Sequence, residues 1–160
     1  MKILDLLGQQ LKDSDIIDFL ELDDLEVIYS FDRLHENQPD EYFVAAHEQG
    51  IEMIFSEHQI LETIFFYIEP EGHFHGCDPN QIGMPTFSSR QSATKHAESL
   101  GATFELGEVE FLGTYREWIK MDFGTHFHHL EFRQSRLHKM TAMRIKEAEQ
   151  GGDGDAEEAV

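Results

Sequence analysis

The stretch 51-IEMIFSEHQILETIFFYI-68 decides the fold predicted for this chain. Residues 51–55 and 60–68 are rich in Ile, Phe and other β-forming residues, and Ser56 to His58 form a short polar turn between them. Alternating and β-branched side chains over segments of this length indicate strands. The stretch therefore predicts a β-hairpin, with a second strand that is buried on both faces.

The chain beyond this hairpin predicts a loop, one helix and a set of strands. Residues 70–87 contain three Pro and three Gly and predict an irregular loop. Ser88 and Gln91 match a capping box, and Gly101 stands where the C-terminal cap of the helix belongs. The strands that follow predict an antiparallel meander over Val109–Leu112, Trp118–Phe123, Phe127–Phe132 and Leu137–Ile145.

The first 50 residues predict mostly helices. Leucines at helical spacing predict the first helix, Ser14 suits the N-cap of the second, and Pro39 suits the first turn of the third. Gly50 stands where the third helix would end. The expected helices span residues 2–11, 15–21 and 39–48, with a strand over 25–31.

These elements together predict an α+β fold. We expect an antiparallel sheet of five or six strands, with N-terminal helices and one helix packed on the sheet. A chain of 160 residues is long enough to bury an ordinary core, so residues 1–146 are expected to form a single domain. From Glu147 onward the chain is mostly Gly, Ala, Asp and Glu, which predicts a disordered acidic tail over 147–160.

The composition is that of a globular protein in a reducing compartment. Hydrophobic residues make up 40% of the chain, and Cys77 is its single cysteine, which excludes an internal disulfide framework. The N-terminal residues 1–8 are interrupted by Asp5 and do not form a signal peptide. Residues 64–68 form the longest strongly apolar run, far short of the roughly 20 residues that a membrane span needs. We therefore expect a cytoplasmic location and no membrane association.

Acidic residues are concentrated in the first half of the chain. Residues 1–80 hold nineteen Asp and Glu against three Lys and Arg, whereas residues 81–146 carry a net charge of +2. The densest stretch, residues 13–41, holds eleven carboxylates and one base, Arg33. Such a one-sided charge predicts a basic partner and argues against direct binding of nucleic acid, which needs a basic footprint.

Two clusters of histidines are candidate metal sites. His73, His75 and Cys77 alternate in an extended segment, so they are expected to point the same way, and zinc accepts imidazole and thiolate ligands. A structural zinc site needs four ligands, and a second cluster with paired spacing is not evident. The other interpretation is a polar loop in which Cys77 is a small buried side chain.

The residues of the second cluster do not all lie on the same face of the predicted strand, which argues against a shared metal site. His126, His128 and Glu131 resemble the first metal motif of cupins, but Glu131 points to the opposite face of a strand. Motifs for a serine nucleophile, a phosphate loop or a dinucleotide fold are missing from the sequence. We therefore expect no enzymatic activity, metal or cofactor. The alternative is a metal-binding protein or metal-dependent enzyme that uses His73, His75, Cys77, His126 and His128.

The hairpin from Gly50 to Tyr67, the loop to Pro85, the helix that ends in Leu100-Gly101 and the closing strands carry a family resemblance. This order resembles small acidic immunity proteins of bacterial polymorphic-toxin and secretion-system effector–immunity pairs, and it covers residues 45–146. The resemblance implies a non-enzymatic inhibitor that binds and neutralises a cognate toxin in the cytoplasm. It leaves the identity of the toxin and the oligomeric state open.

The charge pattern adds a candidate contact surface to this resemblance. An acidic surface attracts a basic toxin such as a nuclease effector and speeds association. Aromatic residues among the acids are possible anchors, and core packing is the alternative role for each. A third possibility is an acidic adaptor or chaperone that holds a basic protein. The predicted contact residues are Asp23, Asp24, Asp32, Glu36, Asp40 and Glu41, with Tyr29, Phe31 or Tyr42 as anchors.

Overall fold

The computed structural model describes residues 1–31 and 37–145, and within these ranges it confirms the α+β class. Eight strands form one antiparallel sheet in the order β1-β2-β3-β4-β8-β7-β6-β5. The strands are β1 (Ile28–Ser30), β2 (Glu41–Ala46), β3 (Ile51–Phe55), β4 (Leu61–Tyr67), β5 (Thr103–Phe111), β6 (Thr114–Asp122), β7 (His126–Arg133) and β8 (Arg136–Arg144). The helical elements are a 3₁₀ turn (Ile3–Leu6), α1 (Ser14–Leu22), α2 (Pro79–Ile82) and α3 (Arg90–Ser99).

The predicted β3–β4 hairpin is confirmed. Met53 of β3 pairs with Ile64 of β4, and both side chains are fully buried. The prediction that β4 is buried on both faces is wrong for most of the strand, because Phe65 remains half-buried on the face opposite Ile64. The reason is that a strand presents successive side chains to opposite faces, and only one face of this sheet is covered by helices.

The expected third helix, over residues 39–48, is wrong, and so is the count of five or six strands. Glu41–Ala46 is strand β2, in which Val44 pairs with Met53 of β3. The alanines of this segment favour a helix, but the free edge of β3 in the β3–β4 hairpin offers a strand partner. Pairing with β3 outweighs the local helix propensity. β1 then pairs with β2, so the N-terminal part contributes two strands that bring the sheet to eight.

The expected first helix is also shorter than predicted. The helical turn covers Ile3–Leu6 and is followed by Gly8, whose φ is +89°. From there the chain runs beside the start of β4: Gly8 N donates to Leu61 O over 2.9 Å, and Leu61 N donates to Gln9 O over 2.8 Å. The leucines whose spacing predicted a longer helix therefore form only one helical turn, and they also pack against the core.

The meander over β5 to β8 and the helix before it are confirmed, with corrected ends. The cap of α3 is Ser89 with Ser92, one residue later than Ser88 and Gln91, and Ser89 Oγ accepts from Ser92 N over 3.1 Å. β5 begins at Thr103, six residues before the predicted Val109. The loop over 70–87 also contains the short helix α2, and the predicted tail over 147–160 lies outside the described residues.

One face of the sheet forms the core, and we call it the core face. Every helix buries side chains in the same cluster: Ile16 and Phe19 from α1, Ile82 from α2, and Ala93 and Ala97 from α3. The cluster's residues from β2, β3, β6 and β7 alternate with more exposed ones, as expected for strands covered on one side.

The opposite face carries the intervening side chains, and we call it the open face. Its apolar, aromatic and cationic members include Ile28, Phe43, Ile54, Phe65, Tyr67, Trp118, Lys120, Phe127, His129, Lys139 and Met143. None of these eleven residues belongs to the core cluster or packs against it. Glu41, Glu105, Asp122 and Glu131 lie on the same face. The fold thus has one covered and one uncovered sheet face.

Substitutions at two glycines with the same φ angle test how closely residues 70–77 of the loop are held against the sheet. Gly50 and Gly101 both have φ of +69°, but a Cβ at Gly50 would lie 2.2 Å from His75 O, whereas a Cβ at Gly101 meets nothing within 4 Å. We expect Gly101→Ala to lower the free energy of unfolding by about 1–2 kcal/mol through backbone strain alone. Gly50→Ala should add about 1–3 kcal/mol for the clash.

The measurement is urea unfolding of both variants beside the original chain. Equal losses for the two variants would contradict the close approach of residues 75–77 to the β2–β3 turn.

Candidate functional site

The predicted contact residues that the structure describes lie at the β1 edge of the sheet, and we call this region the acidic edge. β1 is the outermost strand, and all three of its residues are exposed. Asp23 follows α1 and accepts a hydrogen bond from Gln49 in the β2–β3 turn, so Asp23 lies beside that turn. Glu41 pairs with Ser30 at the end of β1, next to Asp40. Asp40 and Glu41 therefore lie beside β1, and Asp23 lies farther along the same side of the sheet.

Aromatic side chains occupy the middle of the acidic edge. Tyr29 is 49% exposed and Phe31 is 50% exposed, and their rings stack with centroids 5.7 Å apart. The Tyr29 ring also meets Tyr42 at 5.1 Å. Tyr42 packs against the core cluster, so it supports Tyr29 from below, in keeping with the core-packing alternative. Cross-strand pairing of Tyr29 with Tyr42 brings these rings together.

A hydrogen bond fixes the orientation of the Tyr29 ring. Tyr29 OH donates to Asp40 Oδ2 over 2.6 Å. This bond to a carboxylate raises the pKa of Tyr29 to about 12, so the hydroxyl stays protonated at neutral pH. The predicted contact residues Asp32 and Glu36 lie outside the described residues.

Sequence reasoning missed the open face, which carries a second set of aromatic side chains. The Trp118 ring stacks on His129 with centroids 5.4 Å apart, and Lys120 Nζ lies 4.1 Å from the centre of the Phe127 ring. Lys139 Nζ lies 4.5 Å from the centre of the Phe65 ring. The sequence did contain a signal for this face. In several strands, large apolar residues occur at both odd and even positions, so both faces of the sheet receive apolar side chains.

The first histidine cluster does not converge. His73 and His75 are exposed, whereas Cys77 is buried, so the expectation that all three point the same way is wrong. Cys77 N donates to Tyr67 O over 2.7 Å, which turns this segment toward β4. Burial raises the pKa of the Cys77 thiol to about 11, so the thiolate that would bind zinc or act as a nucleophile is disfavoured.

The second histidine cluster lies on the core face, apart from Glu131 on the open face, as the strand parity predicted. The rings of His126 and His128 are 4.8 Å apart, and His128 is 8% exposed. Burial lowers the pKa of His128 to about 4, and its Nε2 has no hydrogen-bond partner in the described structure. His128 borders an apolar cavity of about 150 Å³ beneath α3.

Neither cluster forms a metal site in the described part of the chain. Over residues 1–31 and 37–145, no group of three or more His, Cys, Asp or Glu is arranged to hold a metal ion. The same ranges contain no helix that is long and apolar enough to cross a membrane. The acidic edge is thus the candidate site with the most consistent geometry.

Comparisons with protein-family models, with curated proteins and with solved structures give no match. The resemblance to immunity proteins therefore stays a prediction.

The buried His128 predicts a dependence of stability on pH. Its imidazole protonates near pH 6.5 in the unfolded chain but near pH 4 in the folded protein. The unfolded state therefore binds the extra proton between these values, and the free energy of unfolding should fall by up to about 3 kcal/mol as the pH drops from 6.5 to 4. Burial also lowers the pKa of His126, which acts in the same direction.

Urea unfolding at several pH values checks this expectation, with His128→Phe as the variant that cannot titrate. We expect a flatter pH profile for His128→Phe between pH 6.5 and 4. An unchanged slope would show that His128 is not the group responsible.

Proposed function

We propose that this protein is an immunity-type inhibitor that binds a cognate basic toxin, such as a nuclease effector, through the acidic edge. One observation carries the proposal: the exposed, stacked pair Tyr29 and Phe31 at the outermost strand, with Asp40 and Glu41 beside them. Aromatic anchors surrounded by polar groups are the arrangement in which a few residues supply most of the binding energy.

Charge would act first, during the approach of the toxin. The net charge of −20 lies mostly in the first half of the chain, and two of the predicted carboxylates, Asp40 and Glu41, lie beside β1 in the structure. Complementary charge raises association rates toward about 10⁸–10⁹ M⁻¹s⁻¹ at low salt, compared with about 10⁵–10⁶ M⁻¹s⁻¹ without steering. Fast capture suits an inhibitor that must intercept a toxin before the toxin reaches its target in the cytoplasm.

The aromatic pair would act second, by holding the complex together. Tyr29 is already oriented by its bond to Asp40 and by the Tyr42 ring beneath it, so little rotational freedom is lost on binding. Such preorganisation favours slow dissociation. The resulting mechanism is non-catalytic: the inhibitor covers the active site or the substrate-binding surface of the toxin.

The two other functions considered from the sequence receive less support. The histidines and cysteine proposed as metal ligands are dispersed between the surface and the core, so no observation favours the metal-dependent alternative. An acidic adaptor or chaperone would use the same surface but would leave the activity of its partner intact. Inhibition at one-to-one stoichiometry therefore separates the inhibitor from the adaptor.

The proposal is tested with the compact basic domain expected to be encoded beside this chain. We expect the domain to arrest growth when it is expressed alone and to be harmless when this chain is expressed with it. The purified chain should inhibit the domain at one-to-one stoichiometry. Failure to bind and inhibit it would overturn the proposed function.

Neutralising the acidic edge tests the steering step. The variant carries Asp23→Asn, Asp24→Asn, Asp40→Asn and Glu41→Gln, which moves the net charge from −20 to −16. We expect stopped-flow association with the toxin domain to slow by roughly tenfold at low salt, with a weaker dependence on salt.

A matched control makes the same change of net charge at the far edge of the sheet. It carries Glu98→Gln, Glu105→Gln, Glu108→Gln and Glu110→Gln, all on α3 or β5. The control should associate nearly as fast as the original chain. Equal slowing of the two variants would mean that total charge, and not the acidic edge, governs association.

Truncating the central aromatic residue tests the anchoring step. Tyr29→Ala should weaken toxin binding by roughly 30-fold or more, mainly through faster dissociation, because central aromatic residues dominate interface energy. Leu112→Ala, at a hairpin tip where the side chain is 88% exposed, is the control and should leave dissociation unchanged. A Tyr29→Ala complex that dissociates at the original rate would place the anchor elsewhere.

A further inference from the structure

The open face is uncovered across most of its width. Every helix buries its apolar residues against the core face, and the open-face residues are shielded mainly by one another. One corner is an exception, where Phe74 of the loop stacks on Tyr67 with ring centroids 4.3 Å apart. Apart from that corner, the described chain offers nothing that covers the open face.

The uncovered face carries half-buried aromatic side chains on several strands. Phe43, Phe65 and Phe127 lie on β2, β4 and β7 of the same face, and Trp118 on β6 extends the row. The Trp118 ring lies flat over Gly107 of β5, where an added Cβ would fall 2.1 Å from the ring. Monomeric proteins rarely expose a contiguous apolar patch larger than a few hundred Å².

The size of the open face matches that of a specific interface. Eight strands spaced about 4.8 Å apart span roughly 34 Å, and strands of about six residues are roughly 20 Å long. The resulting area of about 700 Å² is close to the roughly 800 Å² per partner that a standard interface buries. A surface of this size and composition can therefore support a stable dimer.

The open face carries charges of both signs beside its aromatic rings. Lys120 and Lys139 lie over aromatic rings, and within the described ranges neither ammonium comes within 4.0 Å of a carboxylate. Lys120 lies directly opposite Glu105 in the β5–β6 pairing, and Lys139 lies opposite Glu131 in the β7–β8 pairing. Each copy therefore presents balanced charge on this part of the face, which does not oppose the approach of a second copy.

Pairing through the free edges of the sheet is less suitable. β1 contributes three residues, too few for a stable ladder. At the other edge, Arg90 Nη1 donates to Gly107 O over 3.0 Å and occupies the middle of β5. A side chain that satisfies an outward carbonyl blocks the addition of another strand at that point.

We propose that the open face is the interface of a homodimer in which two copies pack face to face, as the two sheets of a β-sandwich do. Aligned sheets of this kind pack about 10 Å apart with their side chains interdigitated. The dimer leaves the Tyr29 anchor free, because Tyr29 lies with Tyr42 on the core-face side of β1, away from Ile28 on the open face.

Sedimentation and fluorescence measurements test the dimer. Sedimentation equilibrium should give twice the 18.5 kDa mass of the chain at micromolar concentration. Trp118 is the single tryptophan, so its emission should shift to the red as the protein is diluted and the face becomes hydrated. A monomer that persists up to about 100 µM would overturn the proposal.

Substitutions on the open face provide a second test of the dimer. Phe65→Glu with Phe127→Glu should give a monomer with the circular dichroism and unfolding cooperativity of the original chain. Leu22→Glu with Leu112→Glu places the same two charges on exposed apolar residues outside the open face and should stay dimeric. A double variant that folds and remains dimeric would overturn the proposal.

Salt separates this proposal from the proposed function. Two chains of net charge −20 repel each other, so added salt should tighten the dimer, whereas added salt should weaken binding to a basic toxin. The double variant should still bind the toxin domain through its acidic edge. A dimer that loosens with salt would contradict the apolar interface, and this result would leave the toxin proposal untouched.

Discussion

The pairing of β4 with β8 is the interaction on which the rest of the structure depends. It aligns residues 63–67 with residues 139–143, with Ile64 opposite Ala142 and Phe66 opposite Met140. All four side chains are buried in the core cluster. This pairing joins an N-terminal half-sheet, β1 to β4, to a C-terminal meander, β5 to β8. Without it, each half would have a free edge and half of the present core face, and neither surface described above would be continuous.

The same pairing separates the two kinds of surface in space. The N-terminal half-sheet ends at β1 and belongs to the first half of the chain, which carries most of the negative charge, whereas the nearly neutral meander ends at β5 on the other side. The neutral meander can present Trp118 and its neighbours on a broad face. An acidic edge for a partner and a sheet face for a second copy are compatible because Tyr29 lies on the core-face side of β1, whereas Ile28 lies on the open face.

Much of the fold could be predicted because its signals are local. The β3–β4 hairpin follows from alternating residues on either side of a short polar turn, and α3 follows from serines at its start and Gly101 after its end. The 39–48 segment could not be predicted this way. Its Pro, Ala and Glu residues favour a helix locally, but pairing with β3 buries Val44 and Ala46 and offsets that preference. Local propensity is a weak prior wherever a tertiary partner is available.

The sequence by itself determined the α+β class, the hairpin, the meander and the concentration of carboxylates in the first half. These depend on spacing, turn chemistry and charge, all of which can be read along the chain. Only the tertiary structure decided that the Tyr29 ring contacts both the Phe31 and the Tyr42 rings, and that Cys77 turns away from His73. It also decided that one sheet face stays uncovered. The physical reason is that strand pairing and helix placement are long-range choices, set by which surfaces bury most apolar area together.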